Sequence, residues 1–251
     1  MTAPTSDAFA ALARSSPWRW STLRFTLRKR RDGRWEEPVR AWLRRPDRAR
    51  VETADGELLQ VVHARPQRIF EFGPGGHGGR DLPWPAGPDA PPPVLRPDGL
   101  VAERASGFAV SYDAPMYRDY FWVALLDPVE LADGRDPAGG RVPGTVIASV
   151  AEVEHAGRGA WEAQVRVTSA YEPRCSCCSL LRSRLVDEQM VAEGGPGAVL
   201  DDYPDVSRVR LDVGTGVCVL TEEVDGSPRG DGHEARIEAV DEPMDDDLFV
   251  Q

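Results

Sequence analysis

Hydrophobic and polar residues alternate along the chain from residue 22 onward. Leu23, Phe25 and Leu27 alternate with Thr22, Arg24, Thr26 and Arg28, and Val39, Ala41 and Leu43 alternate with Arg40, Trp42 and Arg44. A period of two puts every second side chain on the same face of a strand. The alternation resumes at 48–53, 58–64 and 68–72, and Arg31-Asp32-Gly33, Pro46-Asp47 and Asp55-Gly56 supply turn chemistry between runs. This predicts a meander of five antiparallel strands, which must bury one face. A second series predicts a hairpin of 146–154 with 160–168 across Gly157-Arg158-Gly159, with Trp161, Ala163, Val165 and Val167 on one face. A further hairpin, 208–213 with 217–222, turns at Gly214-Thr215-Gly216, and 234–240 reads as the last strand.

Three segments have helical character. Asp7 to Ala13 follows Ser6 as a candidate cap. Residues 116–126 place Tyr117, Tyr120, Phe121, Ala124 and Leu125 at helical spacing, with Trp122 and Leu126 beside them and Pro128 as a stop. Residues 179–187 form a shorter candidate. Gly73 to Gly79 is glycine-rich and seven prolines follow between Pro83 and Pro97, which predicts a long loop over 73–99, mobile over 74–98. The pattern as a whole predicts a mainly β, α+β fold. It consists of a curved antiparallel sheet or half-open barrel with a helical lid, in one domain over 1–251 that ends in an acidic, solvated tail at 241–251.

Charge adds a second layer. The net charge is −11, which argues against a nucleic-acid partner. It is unevenly spread: residues 1–50 carry thirteen Arg and Lys against five acids, and residues 201–251 carry four Arg against fifteen acids. The simplest arrangement makes the two ends neighbouring strands whose exposed faces pair; a basic face for an acidic partner is the other. No apolar run is long enough to span a membrane. The opening Met-Thr-Ala-Pro-Thr-Ser-Asp has neither a basic n-region nor an apolar h-region, so a cytoplasmic chain with reduced cysteines is expected.

Trp-Arg-Trp-Ser-Thr-Leu-Arg-Phe-Thr-Leu (18–27), the strand pair at 39–52 with its Arg-Pro-Asp-Arg-Ala-Arg-Val-Glu, Leu-Leu-Asp-Pro (125–128), and Val-Arg-Leu-Asp-Val-Gly-Thr-Gly-Val (209–217) with a late Leu-Phe (248–249) carry a family likeness. In these segments the chain resembles the outer-membrane lipoprotein carrier superfamily: LolA-like proteins and the amino-terminal domain of RseB-type regulators. The resemblance implies a half-open barrel whose concave face holds acyl chains or an extended peptide, and it brings no catalytic residues. Leu23, Phe25, Leu27, Tyr120, Phe121, Trp122 and Trp161 are the expected liners of that site.

Cys175, Cys177 and Cys178 form a Cys-Ser-Cys-Cys cluster that is not part of the carrier pattern, and Cys218 is the fourth cysteine. Three readings stand. The thiols hold a soft metal, with zinc as the candidate cofactor and Cys218, His155 or His233 completing the set. Alternatively, Cys218 forms a disulfide or redox pair with one of them, or all four are inert. A metal requires a turn, because Cys177 and Cys178 would point to opposite faces of a strand; Pro173 supplies one. His155 and His233 otherwise read as surface histidines. The chain lacks a Gly-x-Ser-x-Gly elbow, the Lys-Ser or Lys-Thr of a phosphate loop, and a second His after His233-Glu234 at the zinc-protease spacing. The expectation is therefore a non-enzymatic protein that binds a hydrophobic small molecule or peptide. A metal- or redox-responsive module and a structural interaction partner for another protein are the alternatives.

Overall fold

The computed structural model describes residues 3–64, 68–73, 76–81, 92–104, 113–195, 198–224 and 230–250, with side chains for all of these except 68–73 and 76–81. The chain builds one curved antiparallel sheet of ten strands that does not close into a barrel. Its strands are β1 (Thr22–Arg31), β2 (Arg34–Trp35), β3 (Val39–Arg44), β4 (Arg48–Thr53), β5 (Leu58–His63), β6 (Thr145–His155), β7 (Arg158–Val167), β8 (Ser207–Asp212), β9 (Cys218–Glu223) and β10 (Gly232–Val240). Their order is β6-β7-β8-β9-β10-β1-β3-β4-β5, with β2 folded back on β1. Two meanders, one from each end of the chain, meet where β1 pairs with β10.

The alternation read from the sequence sets the two faces. Leu23, Phe25, Leu27, Ala41, Leu43, Val51, Val209, Leu211 and Ala235 are buried in one core, and the arginines and acids between them point outward. The junction explains the charge polarity. Arg28 lies opposite Glu234 across β1 and β10 and donates to it at 2.8 Å, and Arg24 reaches Glu238 at 3.3 Å. Arg210 opposite Glu162 and Arg208 opposite Glu222 repeat the pairing on β7, β8 and β9. Such exposed pairs contribute little individually, about 0.2–1 kcal/mol each, but they fix which strand neighbours which.

Helices cover the buried face. α1 (Ser6–Ser15) inserts Phe9 and Leu12, both fully buried. Its cap is Thr5, which accepts from the Ala8 N–H at 3.1 Å; Ser6, the expected cap, donates instead to the Ile147 carbonyl at 2.9 Å. α2 (Tyr120–Leu126) is shorter than the 116–126 expected and turns a different side inward. Trp122 packs on Phe25 at 5.1 Å between ring centroids and on Tyr117 at 5.3 Å, with Leu125 and Leu126 also buried, while Tyr120 is exposed. The helix ends at Asp127, ahead of Pro128. α3 (Arg184–Ala192) starts after the 179–187 expected, because Ser183 caps it by accepting from Val186 N–H.

Two expectations about the periphery are corrected. Residues 68–73 do not extend the first meander; they pair with 76–81 in a separate ladder, and 94–95 pairs with 101–103, so the 73–99 segment is not one continuous loop. Alternation marks a strand without naming its partner. Residues 74–75 and 82–91, on which the expected mobility also rests, lie outside the described residues. The acidic tail is not solvated throughout. Phe249 is 1% exposed, the Arg44 guanidinium sits 4.9 Å over its ring, and His63 Nε2 donates to its carbonyl at 2.8 Å. The apolar ring and the arginines of β3 and β4 hold the tail on the sheet. Among the described residues no helix is long and apolar enough to cross a membrane.

Candidate functional site

The long crossing from β7 to β8 carries the cysteines. Cys175 is extended and Ser176–Cys178 makes a single 3₁₀ turn, closed by Cys178 N–H donating to the Cys175 carbonyl at 3.1 Å. The turn removes the geometric objection to adjacent cysteines acting together. Cys175 Sγ lies 2.7 Å from Cys177 Sγ, which lies 3.3 Å from Cys178 Sγ, and all three sulfurs fall within 4.8 Å of one another.

Buried polar groups hold the turn at both ends. Before it, Arg174 is clamped by Asp113 and by Asp127, a fully buried carboxylate that Arg104 also binds. After it, Leu180 N–H donates to Glu130 Oε1 at 2.8 Å, Leu181 N–H donates to the Tyr171 hydroxyl at 3.2 Å, and that hydroxyl donates to Glu130. Burial pushes the Glu130 carboxyl above its usual range despite those donors, and it pushes the Tyr171 phenol well up. Ser176 Oγ donates to Glu193 at 2.7 Å. The loop is therefore preorganised before any ligand arrives. Tyr171→Phe removes a donor to Glu130 and an acceptor for Leu181. It is expected to cost about 1–3 kcal/mol in urea unfolding; a loss under 0.5 kcal/mol would show that the clamp is idle.

Cys177 and Cys178 line a cleft of about 430 Å³ between this turn, α2, α3 and the ends of β1, β9 and β10. Six carboxylates and four cations line it, so it favours a positive ligand. Lys29 stands on its wall with its ammonium 3.3 Å from both Asp119 oxygens and 4.3 Å over the Phe121 ring; burial lowers its pKa against the pull of Asp119. The shared hydrogen bonds from Cys175 and Cys178 push the Cys177 thiol up to about 12, and burial raises Cys178. Free, these thiols keep their protons. They are weak nucleophiles near neutrality but strong ligands for a cation able to displace the protons.

Set against known proteins, the chain matches no family model and no curated protein.

The residues expected from sequence are dispersed differently. Cys218 does not join the cluster: its thiol is fully buried in β9 and faces the Leu220 carbonyl, and all four cysteines are free, so the alternative in which Cys218 forms a disulfide with one of the others is not realised. His155 and His233 are buried, not on the surface. His155 Nε2 donates to the Ala235 carbonyl at 2.9 Å, and His233 bridges Thr221 and the Cys218 carbonyl, so neither reaches the sulfurs. Among the expected ligand liners, Leu23, Phe25, Leu27 and Trp122 are packed into the core. Trp161 packs against its margin, Tyr120 is exposed, and Phe121 alone lines the cleft. Glu130, Tyr171, Lys29 and Asp119 were not singled out from sequence.

Proposed function

We propose that this protein binds a thiophilic metal ion, zinc in the first instance, through Cys175, Cys177 and Cys178. The observation that carries the reading is the convergence of three sulfurs on a turn already braced at both ends. Tetrahedral zinc with bonds of about 2.3 Å sets its sulfurs about 3.8 Å apart, so the thiols spread modestly to take the ion. Three soft sulfur ligands suit zinc over magnesium or calcium, which take oxygen. The inner face of the sheet gives less support to an apolar ligand, because Leu23, Phe25, Leu27 and Trp122 already fill it with one another.

Each thiol must lose a proton to the ion, so affinity falls as pH falls. Purified protein dialysed against zinc should retain about one ion per chain, and Cys178→Ser should weaken binding at least about tenfold. Equal zinc in wild type and variant, or none in the wild type by elemental analysis, would sink the proposal.

A further inference from the structure

We infer that the three-sulfur centre keeps one coordination position open to the cleft, and that this position takes a small-molecule thiol, bound as its thiolate. The inference rests on the metal reading above.

All the ligands come from one four-residue segment. A metal there closes only tiny chain loops and removes little unfolded-state entropy. The turn is already held by Arg174 on one side and by Glu130 and Tyr171 on the other. Such a centre is a poor staple for the fold. Structural zinc sites are closed by four protein ligands, and sites that act on a ligand leave one place free.

Two carboxylates beside the turn already have partners. Asp119 is held by Lys29, and Glu193 accepts from Ser176 and from Gln189 at 2.9 Å. Among the described residues no fourth His, Cys, Asp or Glu joins the group. Cys177 is exposed, so the centre is accessible.

The chemistry of the incoming group follows from softness. A metal already bound to three thiolates favours another polarizable sulfur over a hard oxygen. The cleft wall offers Phe121, Leu180 and Met190 to receive a short apolar body. In the binding step the thiol gives its proton to solvent, its sulfur bonds the metal, and a bound water leaves. No electrons change hands.

Cobalt(II) replacing zinc in the full chain reports the coordination by its visible bands. Cobalt-loaded protein titrated with 2-mercaptoethanol should show a saturable rise of about one third in sulfur-to-cobalt charge transfer, as three thiolates become four. Bands that do not respond to the thiol while cobalt stays bound would overturn the inference, because the fourth position is then closed. Loss of the bands as cobalt escapes to solution would overturn it too, since the thiol then competes with the protein instead of adding to the centre. A wild-type chain that binds neither cobalt nor zinc fails the underlying metal reading itself.

Discussion

Replacing Asp127 with alanine is expected to destabilise the chain by about 3–5 kcal/mol, the cost of leaving buried charges without their partner. The carboxylate is fully buried at the end of α2. Burial alone would raise its pKa, but the guanidinium groups of Arg104 and Arg174 hold it below the usual carboxylate range. Arg104 donates to it at 2.9 Å and also to the Arg14 carbonyl at 2.6 Å, and Arg174 donates from beside the cysteine turn. Arg45 lies close by, stacked 4.0 Å over Trp20, its pKa pushed down to about 10 by burial. Removing Asp127 leaves three guanidinium groups near one another with less carboxylate charge, that of Asp113 and of Glu130, to balance them. Guanidinium unfolding of Asp127→Ala should show the loss, and zinc affinity should fall with it because Arg174 anchors the metal turn. A change under about 1 kcal/mol, the level of an exposed ion pair, would show that the cluster is not electrostatically coupled.

The second large effect is on acid stability. His233 is fully buried under the Phe121 ring, which meets it edge-on at 5.2 Å between centroids. The Cys218 carbonyl can only accept, so Nε2 carries the proton, and Nδ1 accepts from the Thr221 hydroxyl. Burial lowers the pKa to about 4 from 6.5, more than the Cys218 carbonyl can restore. A depressed histidine binds its proton in the unfolded chain first. Its contribution is therefore complete above pH 6.5 and is lost as pH falls toward 4. The loss amounts to about 3 kcal/mol between pH 7.5 and 4. Urea unfolding at both pH values should show wild type losing about that much more than His233→Gln, which cannot titrate. Identical pH dependence in the two proteins would place the proton elsewhere.

The sequence by itself determined most of the sheet. Strict alternation in β1, β3, β4 and β10 sorts residues to two faces whatever the rest of the chain does, since neighbouring strand side chains must point opposite ways. Asp32-Gly33 and Asp55-Gly56 turn the chain where they stand, because Asp32, Gly33 and Gly56 take positive φ (48°, 73° and 89°) that few other residues accept. The opposed charges of the two ends pointed to neighbouring strands as one of two arrangements, and Arg28 paired with Glu234 shows that one. The Cys-Ser-Cys-Cys spacing marked the candidate site, because a metal needs several sulfurs within one short reach.

Tertiary structure alone decided what surrounds those elements. Helical spacing allowed several faces of α2 to turn inward, and the choice of Trp122 over Tyr120 depended on the Phe25 surface opposite. Asp127, Arg104 and Arg174 are ordinary residue types in segments 23 and 47 positions apart, so no local pattern reports their meeting. The same holds for Glu130 and Tyr171, which reach the cysteine turn from beneath. Cys218 looked like a fourth ligand because it was the remaining cysteine, yet β9 is held in the sheet by its neighbours and keeps that thiol in the core. Local periodicity carries the direction of a side chain, whereas the partner it meets depends on how distant segments pack, and a metal site or a buried charge is defined by its partners.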